Sequence, residues 1–434
     1  MKEIVELEQS QIPSSIGKWK AYPAYKDSGV EWLGEIPEHW EVRRLKYTAR
    51  LSYGDSLAAD VREEGNIPVF GSNGFVGYHS RSNTLAPALI IGRKGSFGKV
   101  NYSDLPCFAI DTTFYVDARN SQADLRWLFY SLSILKLDSM SEDSAIPGLS
   151  REFAYERSLS VPPLPEQRAI ATFLDRETAR INTLIAKKER LIELLQEKRA
   201  ALISHAVTKG LDPDVKMKDS GVEWLGEIPA HWEVRRLKFM AAFLSGGTPS
   251  KENLDYWSGD IPWVSPKDMK YEIIRDTEDH ITKTAIEESS TRLVHPGAVL
   301  IVVRSGILKH TIPIGINAEP VAINQDMKAV VLKPILKAAY FASVIRGHQS
   351  ILLVEWRKEG TTVESIEFEL LANTSCPIPP LVEQEAIISY LARETARIDA
   401  LISRIGEAIE KLKEYSAALI SAAVTGKIDV RGEV

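Results

Sequence analysis

Basic and hydroxyl side chains lie together in several glycine-rich stretches of the chain, a combination suited to contact with a polyanion. Two long segments, 65–103 and 289–318, contain basic residues but no Asp or Glu. Glycine-rich backbone can approach phosphates closely, and Lys, Arg, Asn and Ser side chains donate to phosphates or base edges. The whole chain carries a net charge of −6, but a polyanion responds to local potential. The alternative interpretation is a buried strand pair with incidental basic turns.

The candidate contact residues are basic, polar or hydroxyl side chains that lie in or near the glycine-rich stretches of each half. In the first half they are Ser72, Asn73, His79, Arg81, Arg93, Lys94, Ser96 and Lys99, and in the second half they are Thr248, Ser250, Lys251, Lys267, Arg304, Ser305, Lys309 and His310.

Motifs for catalysis are missing from the sequence. Gly98 and Lys99 are followed by Val100, where a phosphate-binding P-loop needs Ser or Thr. No HExxH, GxSxG or Asn-Pro-Pro-aromatic motif occurs. The two cysteines, Cys107 and Cys376, lack the spacing of a zinc site. We therefore predict buried structural thiols, and no catalytic residue, metal site or cofactor in this chain.

The elements that would position the loops are duplicated. Residues 26–47 and 218–239 agree at 20 of 22 positions, and we call these two segments the frames. PPLPEQRAI at 162–170 returns as PPLVEQEAI at 379–387. The material between them, about 48–160 and 240–377, barely aligns, and we call these two segments the inserts. Constant frames around divergent inserts indicate two variable recognition domains held on a common scaffold.

Each PPLxEQ motif opens a long amphipathic segment with apolar residues spaced alternately by four and three. This spacing is typical of a coiled coil, and two such helices in one chain most simply pair with each other. The predicted seam residues are Ile170, Leu174, Glu177, Ile181, Leu184, Leu191 and Leu195 in the first helix, and Ile387, Leu391, Glu394, Ile398, Leu401, Ile405 and Leu412 in the second. Both glutamates lie within RETARI, where flanking arginines could pair with them across the seam. The alternative for the glutamates is a solvated helix face.

The inserts have the mixed pattern of an α/β fold. Strands are predicted at Ala88–Gly92, 108–116, 298–303 and 328–332, and helices at 125–137 and 335–345. No secretory signal and no apolar run long enough to span a bilayer is evident, which predicts a cytoplasmic protein without membrane contact.

The chain resembles the specificity subunit of type I restriction–modification systems. The resemblance rests on the duplicated EWLGEIPxHWEVRRLK, PPLxEQxAI and RETARI segments, with GGTPS at 246–250, GDIPWVSPKDM at 259–269 and AINQDMKAVVL at 322–332. It covers nearly the whole chain from residue 26.

The resemblance implies an α/β (α+β) architecture with a pseudo-two-fold internal repeat. Two mixed α/β target-recognition domains, 26–161 and 218–378, would be joined by an antiparallel coiled coil of two conserved helices, 162–209 and 379–426. The smaller parts are an N-terminal segment 1–25, a linker 210–217 and a tail 427–434.

The family also implies a function and partners. Each recognition domain would recognise one half of a bipartite double-stranded DNA target. The helices would set the spacing and dock two methyltransferase subunits, and restriction (translocase) subunits would join them. S-adenosylmethionine, ATP and Mg²⁺ would belong to those partner subunits. A DNA-recognition adaptor of another methylation-based defence system and a coiled-coil scaffold without DNA remain as alternatives, and gene neighbours and a gel-shift assay would separate the three.

Overall fold

The computed structural model describes residues 19–139, 148–358 and 363–433. These residues form two compact units, one with residues up to Glu189 and from Gly406 onward, the other with Arg190–Ile405. The first unit is discontinuous in sequence, because each of two long helices contributes one part of its length to each unit.

Eleven strands and two short α-helices of the first unit precede the first long helix in the described chain. The strands are β1 (Tyr25–Asp27), β2 (Glu35–Pro37), β3 (Glu41–Arg44), β4 (Ser52–Tyr53), β5 (Ile67–Gly71), β6 (Gly74–His79), β7 (Ala88–Gly92), β8 (Val100–Ser103), β9 (Phe108–Ala109), β10 (Thr113–Val116) and β11 (Ser158–Val161). The helices are α1 (Leu125–Ser133) and α2 (Arg151–Tyr155), followed by the long helix α3 (Leu164–Lys209).

The second unit repeats this order with additions. Its strands are β12 (Met217–Asp219), β13 (Glu227–Pro229), β14 (Glu233–Arg236), β15 (Ala241–Ser245), β16 (Ile261–Val264), β17 (Ile273–Ile274), β18 (His280–Ile281), β19 (Leu293–Val294), β20 (Val299–Val302), β21 (Ile314–Asn317), β22 (Val321–Ile323), β23 (Met327–Leu332) and β24 (Ser375–Ile378). The helices are α4 (Lys283–Glu287), α5 (Ala338–Gly347), α6 (Gln349–Glu355), α7 (Phe368–Asn373) and the long helix α8 (Leu381–Val424).

The two inserts share a sheet topology despite their divergent sequences. In the first unit the strand orders are β4-β10-β7-β8 and β6-β5-β9, and in the second they are β15-β23-β20-β21-β17 and β18-β16-β22-β19. The pairs β5–β9 and β16–β22 are both parallel. The second insert adds β17, β19 and α4, which accounts for part of its greater length. The mixed α/β prediction is confirmed, and the inserts are two versions of one fold.

Each insert leaves its frame and returns to it at one place. Strand β3 pairs with β11 in the first unit, and β14 pairs with β24 in the second. Directly after these pairs, Leu45 N donates to Arg157 O at 2.8 Å and Leu237 N donates to Thr374 O at 2.9 Å. The two ends of an insert therefore lie side by side, as in a replaceable module.

Each unit builds its core from a frame, an insert and both long helices. In the first unit Trp40, Phe114, Trp127 and Phe173 are fully buried in one cluster, which also includes Leu419 of α8. The second unit gathers Trp232, Tyr340, Trp356, Ile203 and Ile387 in the same way. The start of α3 packs with the end of α8 in one unit and the reverse holds in the other, so the helices pair antiparallel, which confirms the coiled-coil prediction.

The seam between the two long helices differs from the predicted spacing of apolar residues at one point in each helix. Leu184, Leu191 and Leu401 are predicted in the seam, but their exposed fractions are 43%, 45% and 47%. After Ile181 and Ile398 the buried stripe advances by four residues to Ile185 and Ile402 instead of by three. This step is a stutter, which corrects the drift between a strict seven-residue repeat and the 3.6-residue turn. Both helices have it at equivalent positions.

The seam glutamates pair within their own helix, contrary to the prediction of pairing across the seam. Glu177 is buried and accepts from Arg176 Nε at 3.0 Å and Arg180 Nη1 at 3.3 Å. Glu394 is half-buried and accepts from Arg393 Nε at 2.9 Å. The arginines neutralise the carboxylates locally, so no partner charge from the other helix is needed.

The glutamine of PPLxEQ fastens each long helix to its insert. Gln384 is fully buried, and its Nε2 donates to Ile335 O and Pro379 O, each at 2.9 Å. Its Oε1 accepts from Lys337 N, also at 2.9 Å, at the N-terminus of α5. Gln167 makes the corresponding bonds to Pro162 O and from Asp124 N, at the N-terminus of α1. The repeated glutamine therefore fixes the angle between helix and domain.

We expect Gln384→Leu to lower the free energy of unfolding of the second unit by about 2–4 kcal/mol, because it leaves two buried carbonyls and one N–H without partners. Urea denaturation followed by tryptophan fluorescence would measure the loss. Gln196→Leu, on the exposed face of α3, is the matched control and should change stability by less than about 0.5 kcal/mol. Equal effects of the two substitutions would contradict the anchoring role.

Candidate nucleic-acid interface

Two glycine-rich loops of the first unit meet beside each other. The loop after β5 carries Ser72 and Asn73, and the loop after β7 runs from Gly92 to Lys99. Lys99 Nζ donates to Asn73 O at 2.8 Å and Asn73 Oδ1 at 3.1 Å. A β-carbon on Gly92 would lie 2.9 Å from Ser72 O and closer still to Ser96 O, so only glycine fits there.

The structure thus brings together six of the predicted contact residues of the first half, and we call them the first loop cluster. They are Ser72, Asn73, Arg93, Lys94, Ser96 and Lys99. Lys94, Ser96 and Lys99 are exposed.

Arg93 is fixed in place by an aromatic neighbour that the sequence did not suggest. Its Nη2 donates to Asp111 O at 2.7 Å, and its guanidinium carbon lies 5.2 Å from the Tyr53 ring centroid. Arg151 lies 5.1 Å from the same ring. An exposed tyrosine beside two cations combines a stacking surface with positive charge. Sequence reasoning missed Tyr53 and Arg151 because both lie outside the glycine-rich, acid-free segment.

The structure buries His79, although the sequence predicts it as an exposed contact residue. His79 is 3% exposed, its Nδ1 accepts from Glu63 N at 3.2 Å, and its ring packs edge-on against Phe108. As the last residue of β6 it pairs with Ile67 and faces the interior. Nearby Arg81 is exposed, but its charge is partly offset by Glu63 at 3.6 Å.

The second unit gathers its loops around a turn between β22 and β23. The Thr248 hydroxyl donates to Gln325 Oε1, and Gly247 N donates to Ile323 O at 2.9 Å. Arg304 Nε lies 3.2 Å from Asp326 Oδ1, and Arg304 N donates to Asp326 O. We call Thr248, Arg304, Ser305, Gln325 and Asp326 the second loop cluster. Gln325 and Asp326 were not among the predicted contact residues, although they lie in the AINQDM segment and Gln is a side chain that can read base edges.

The other predicted residues of the second half differ in exposure and in how their charge is paired. Lys267 Nζ lies 2.7 Å from Glu278 and 2.9 Å from Asp279, and hydrogen bonds to these carboxylates raise the pKa of Lys267 above its ordinary value. Ser250 Oγ accepts from Glu252 N at 3.3 Å and closes a local turn beside Lys251. Lys309 and His310 are exposed at the end of a short 3₁₀ helix, Gly306–Lys309. The charge of Lys267 is therefore already balanced, whereas Lys309 forms no ion pair with a carboxylate in the described ranges.

Lys94 and Arg304 occupy corresponding positions in the two folds. Each lies two residues after a fully buried strand, β7 or β20, and each donates its backbone N–H to the turn that precedes β10 or β23. The acceptors are Thr112 O at 3.2 Å and Asp326 O at 3.3 Å. The shared fold therefore places a basic residue at the same edge of both recognition sheets, although the surrounding loops differ.

Both cysteines are buried and unpaired, as predicted, and burial raises the pKa of the Cys376 thiol to about 12. In the described part of the chain, no three His, Cys, Asp or Glu side chains converge as a metal-ligand set. None of the helices described above has both the length and the apolar character of a membrane span.

Comparison with known proteins identifies the family. The family model described as "Type I restriction modification DNA specificity domain" matches residues 37–194 and 229–411, one match for each repeat. The chain belongs to this type I DNA specificity family.

Two relatives of this specificity subunit match it along most of their length. It is 28% identical to the specificity subunit of the type I restriction enzyme EcoR124I/EcoR124II of Escherichia coli, covering 89% of this chain and 92% of that one. It is 24% identical to the MjaVIII specificity subunit of Methanocaldococcus jannaschii, covering 91% and 94%.

Solved structures agree in fold. A chain from a structure of a type I R-M system, in a study of its complex assembly and conformational transition, has a TM-score of 0.66 at 15% identity and covers 92% of this chain and 99% of that one. The HsdS subunit from Thermoanaerobacter tengcongensis has a TM-score of 0.51 at 16% identity, covering 91% and 98%.

Proposed function

We propose that this DNA specificity subunit recognises a bipartite double-stranded sequence, with one insert for each half, and leaves the chemistry to its partners. The observation that carries the proposal is the pair of inserts with one topology and divergent loops, each closed on the same frame. A common fold with different loop residues is what two readers of different half-sequences require. The first and second loop clusters are the proposed contact surfaces.

As a family member the subunit acts in a multi-subunit restriction–modification complex, and we propose specific partners within it. Two methyltransferase subunits would dock on the paired helices, and restriction (translocase) subunits would join the same assembly. S-adenosylmethionine, ATP and Mg²⁺ would be bound by those subunits. The exposed Leu184, Leu191 and Leu401 on the helices support the docking proposal, because apolar side chains outside the seam are available to a partner.

Alanine substitution of exposed lysines in the loops tests whether the loops contact DNA phosphates. Lys94, Lys99 and Lys309 form no ion pair with any carboxylate in the part of the chain that the structure describes. We expect alanine at each to reduce the slope of log K against log salt by about 0.9 for every phosphate that is no longer neutralised. Fluorescence anisotropy with a labelled duplex would measure the slope between 50 and 200 mM salt, roughly the range over which phosphate neutralisation makes affinity depend strongly on salt.

Lys267→Ala is the matched control, because Lys267 is already paired with two carboxylates and releases little counterion on binding. Its slope should equal that of the unchanged chain. If alanine at Lys94, Lys99 and Lys309 together leaves the slope unchanged, the lysines of the first loop cluster and of the turn that carries Lys309 do not neutralise DNA phosphates. In the same preparations the chain alone should transfer no methyl group from S-adenosylmethionine, and transfer by the chain alone would refute the non-catalytic part of the proposal.

A further inference from the structure

One histidine–glutamate pair occurs in both repeats but has different surroundings in each. Glu166 and Glu383 are the glutamates of PPLxEQ, and each accepts from the histidine of its frame. His39 Nε2 lies 2.9 Å from Glu166, and His231 Nε2 lies 2.6 Å from Glu383. The Glu166 side chain is 6% exposed and the Glu383 side chain 41%. The carboxylate is therefore covered in the first unit and open in the second.

The cover in the first unit is a phenol ring. The Tyr22 hydroxyl donates to Glu166 Oε1 at 2.5 Å, and its ring centroid lies 5.8 Å from that of His39 and 5.6 Å from that of Trp40. The Arg431 guanidinium lies 5.0 Å from the Tyr22 ring centroid. Burial and the bond to Glu166 raise the pKa of Tyr22 well above its ordinary value, so the hydroxyl stays a donor.

Among its described residues, the second unit has a cavity in place of this ring. Tyr22 lies three residues before β1, and the corresponding position before β12 is Asp214, which is exposed. A cavity of about 290 Å³ there is lined by His231 and Glu383, by the charged residues Lys209 and Asp212, and by apolar residues. The apolar residues that line it are Leu211, Val215, Pro229, Ala386 and Ile387. A cavity of roughly 150 Å³ already accommodates benzene.

The hydrogen bonds of the frame tryptophans agree with an occupied site and an open one. In the second unit Trp232 Nε1 donates to Glu383 Oε2 at 2.9 Å. The equivalent Trp40 Nε1 in the first unit is buried and has no hydrogen-bond partner among the described residues. In the first unit the carboxylate accepts instead from Tyr22 and His39. A carboxylate has about four acceptor positions, so Glu383 can accept a further hydroxyl without losing its present partners.

We propose that the cavity beside His231 and Glu383 binds a phenol group, with the hydroxyl donating to Glu383 and the ring against Pro229 and Ile387. The first repeat supplies this group from its own chain, through Tyr22. The second would receive it from outside, either as a small phenolic molecule or as a tyrosine side chain of a partner subunit.

The test uses the full chain and 4-methylphenol, which is the tyrosine side chain as a free molecule. Calorimetric titration should give one saturable site, and toluene, which lacks the hydroxyl, should bind roughly ten- to a hundredfold more weakly because it cannot donate to the charged acceptor. Ala386→Phe places a ring at the exposed edge of the cavity and should weaken 4-methylphenol binding at least tenfold. Absence of saturable binding, or binding unchanged by Ala386→Phe, would overturn the proposal.

Tyr22→Ala is the reciprocal variant, because it should open the corresponding site in the first unit. The stoichiometry of 4-methylphenol should rise from one to two, and the ligand should restore part of the thermal stability that the substitution removes. A folded Tyr22→Ala chain that still binds one equivalent would argue against the equivalence of the two sites. If that variant does not fold, the toluene comparison and Ala386→Phe decide the question.

Assembly of the chain with purified methyltransferase subunit distinguishes the two sources of the phenol group. This experiment rests on the proposed function. Loss of 4-methylphenol binding on assembly, restored by Tyr→Phe or Tyr→Ala substitution in the partner, assigns the site to a partner tyrosine. Binding retained on assembly assigns it to a free phenolic ligand.

Discussion

Replacing residues 240–374 with the corresponding segment of another family member is expected to change one half of the methylated DNA sequence and leave the other half intact. The junctions follow the structure, because Leu237 N donates to Thr374 O and β14 pairs with β24 directly beside them. An insert with this topology can therefore be exchanged without cutting a strand pair. Each mismatched base pair costs about 1–3 kcal/mol, so a half-site of several base pairs changes specificity by orders of magnitude. Single-molecule methylome sequencing of a host carrying the exchanged chain would measure the result.

The reciprocal exchange of residues 48–157 is the matched control and should alter the other half alone. Its junction lies at Leu45 N and Arg157 O, the equivalent point of the first unit. If either exchange changes both halves of the motif, the inserts do not read independently. If methylation disappears in both, the inserts also contribute to assembly, and a gel-shift assay would then separate a defect in DNA binding from a defect in assembly.

The architecture could be predicted from the sequence because it is encoded in repeats and in strong periodicity. The frames and the PPLxEQ motifs located both long helices, which begin at Leu164 and Leu381. Gly210 and Gly426 lie just past the helix ends with positive φ, 76° and 74°, a backbone conformation that glycine adopts readily. The buried strand at Ala88–Gly92 was predicted to the residue, since a run of apolar residues bounded by turns admits few alternatives.

Features set by tertiary context escaped prediction. The sequence predicts one continuous strand over 108–116, but a turn interrupts it, in which Thr113 N donates to Ile110 O. The seam phase failed after Ile181 because a strict seven-residue spacing drifts against the real helix. At the candidate interface, composition identified the loops, but it could not show which of their side chains are ion-paired or buried. Whether Lys267 is balanced by Glu278 and Asp279, or whether His79 faces inward, depends on residues far along the chain or on strand register.

Lengthening both long helices by four residues should widen the unread spacer of the DNA motif by one or two base pairs. The helices are continuous through the points where the compact units divide, at Glu189 of α3 and Ile405 of α8. Duplicating 186–189 and 402–405 adds about 6 Å to each helix, at 1.5 Å per residue. This distance corresponds to roughly two base pairs along the duplex. The added rotation is about 40°, since four residues slightly exceed one turn.

The pair should tolerate this change because it already contains a stutter, at Ile181–Ile185 in α3 and at Ile398–Ile402 in α8. A further four-residue step in both helices repeats a device that the native seam uses, so the apolar stripes remain opposed. Inserting the four residues in α3 alone offsets the two stripes by a full turn and should abolish methylation, which makes it the negative control. Methylome sequencing of the double insertion decides between two roles of the helices. A wider spacer with both half-sites unchanged means that the helices set the distance. An unchanged spacer, or abolished methylation with DNA binding retained, means that they only dock the methyltransferase subunits.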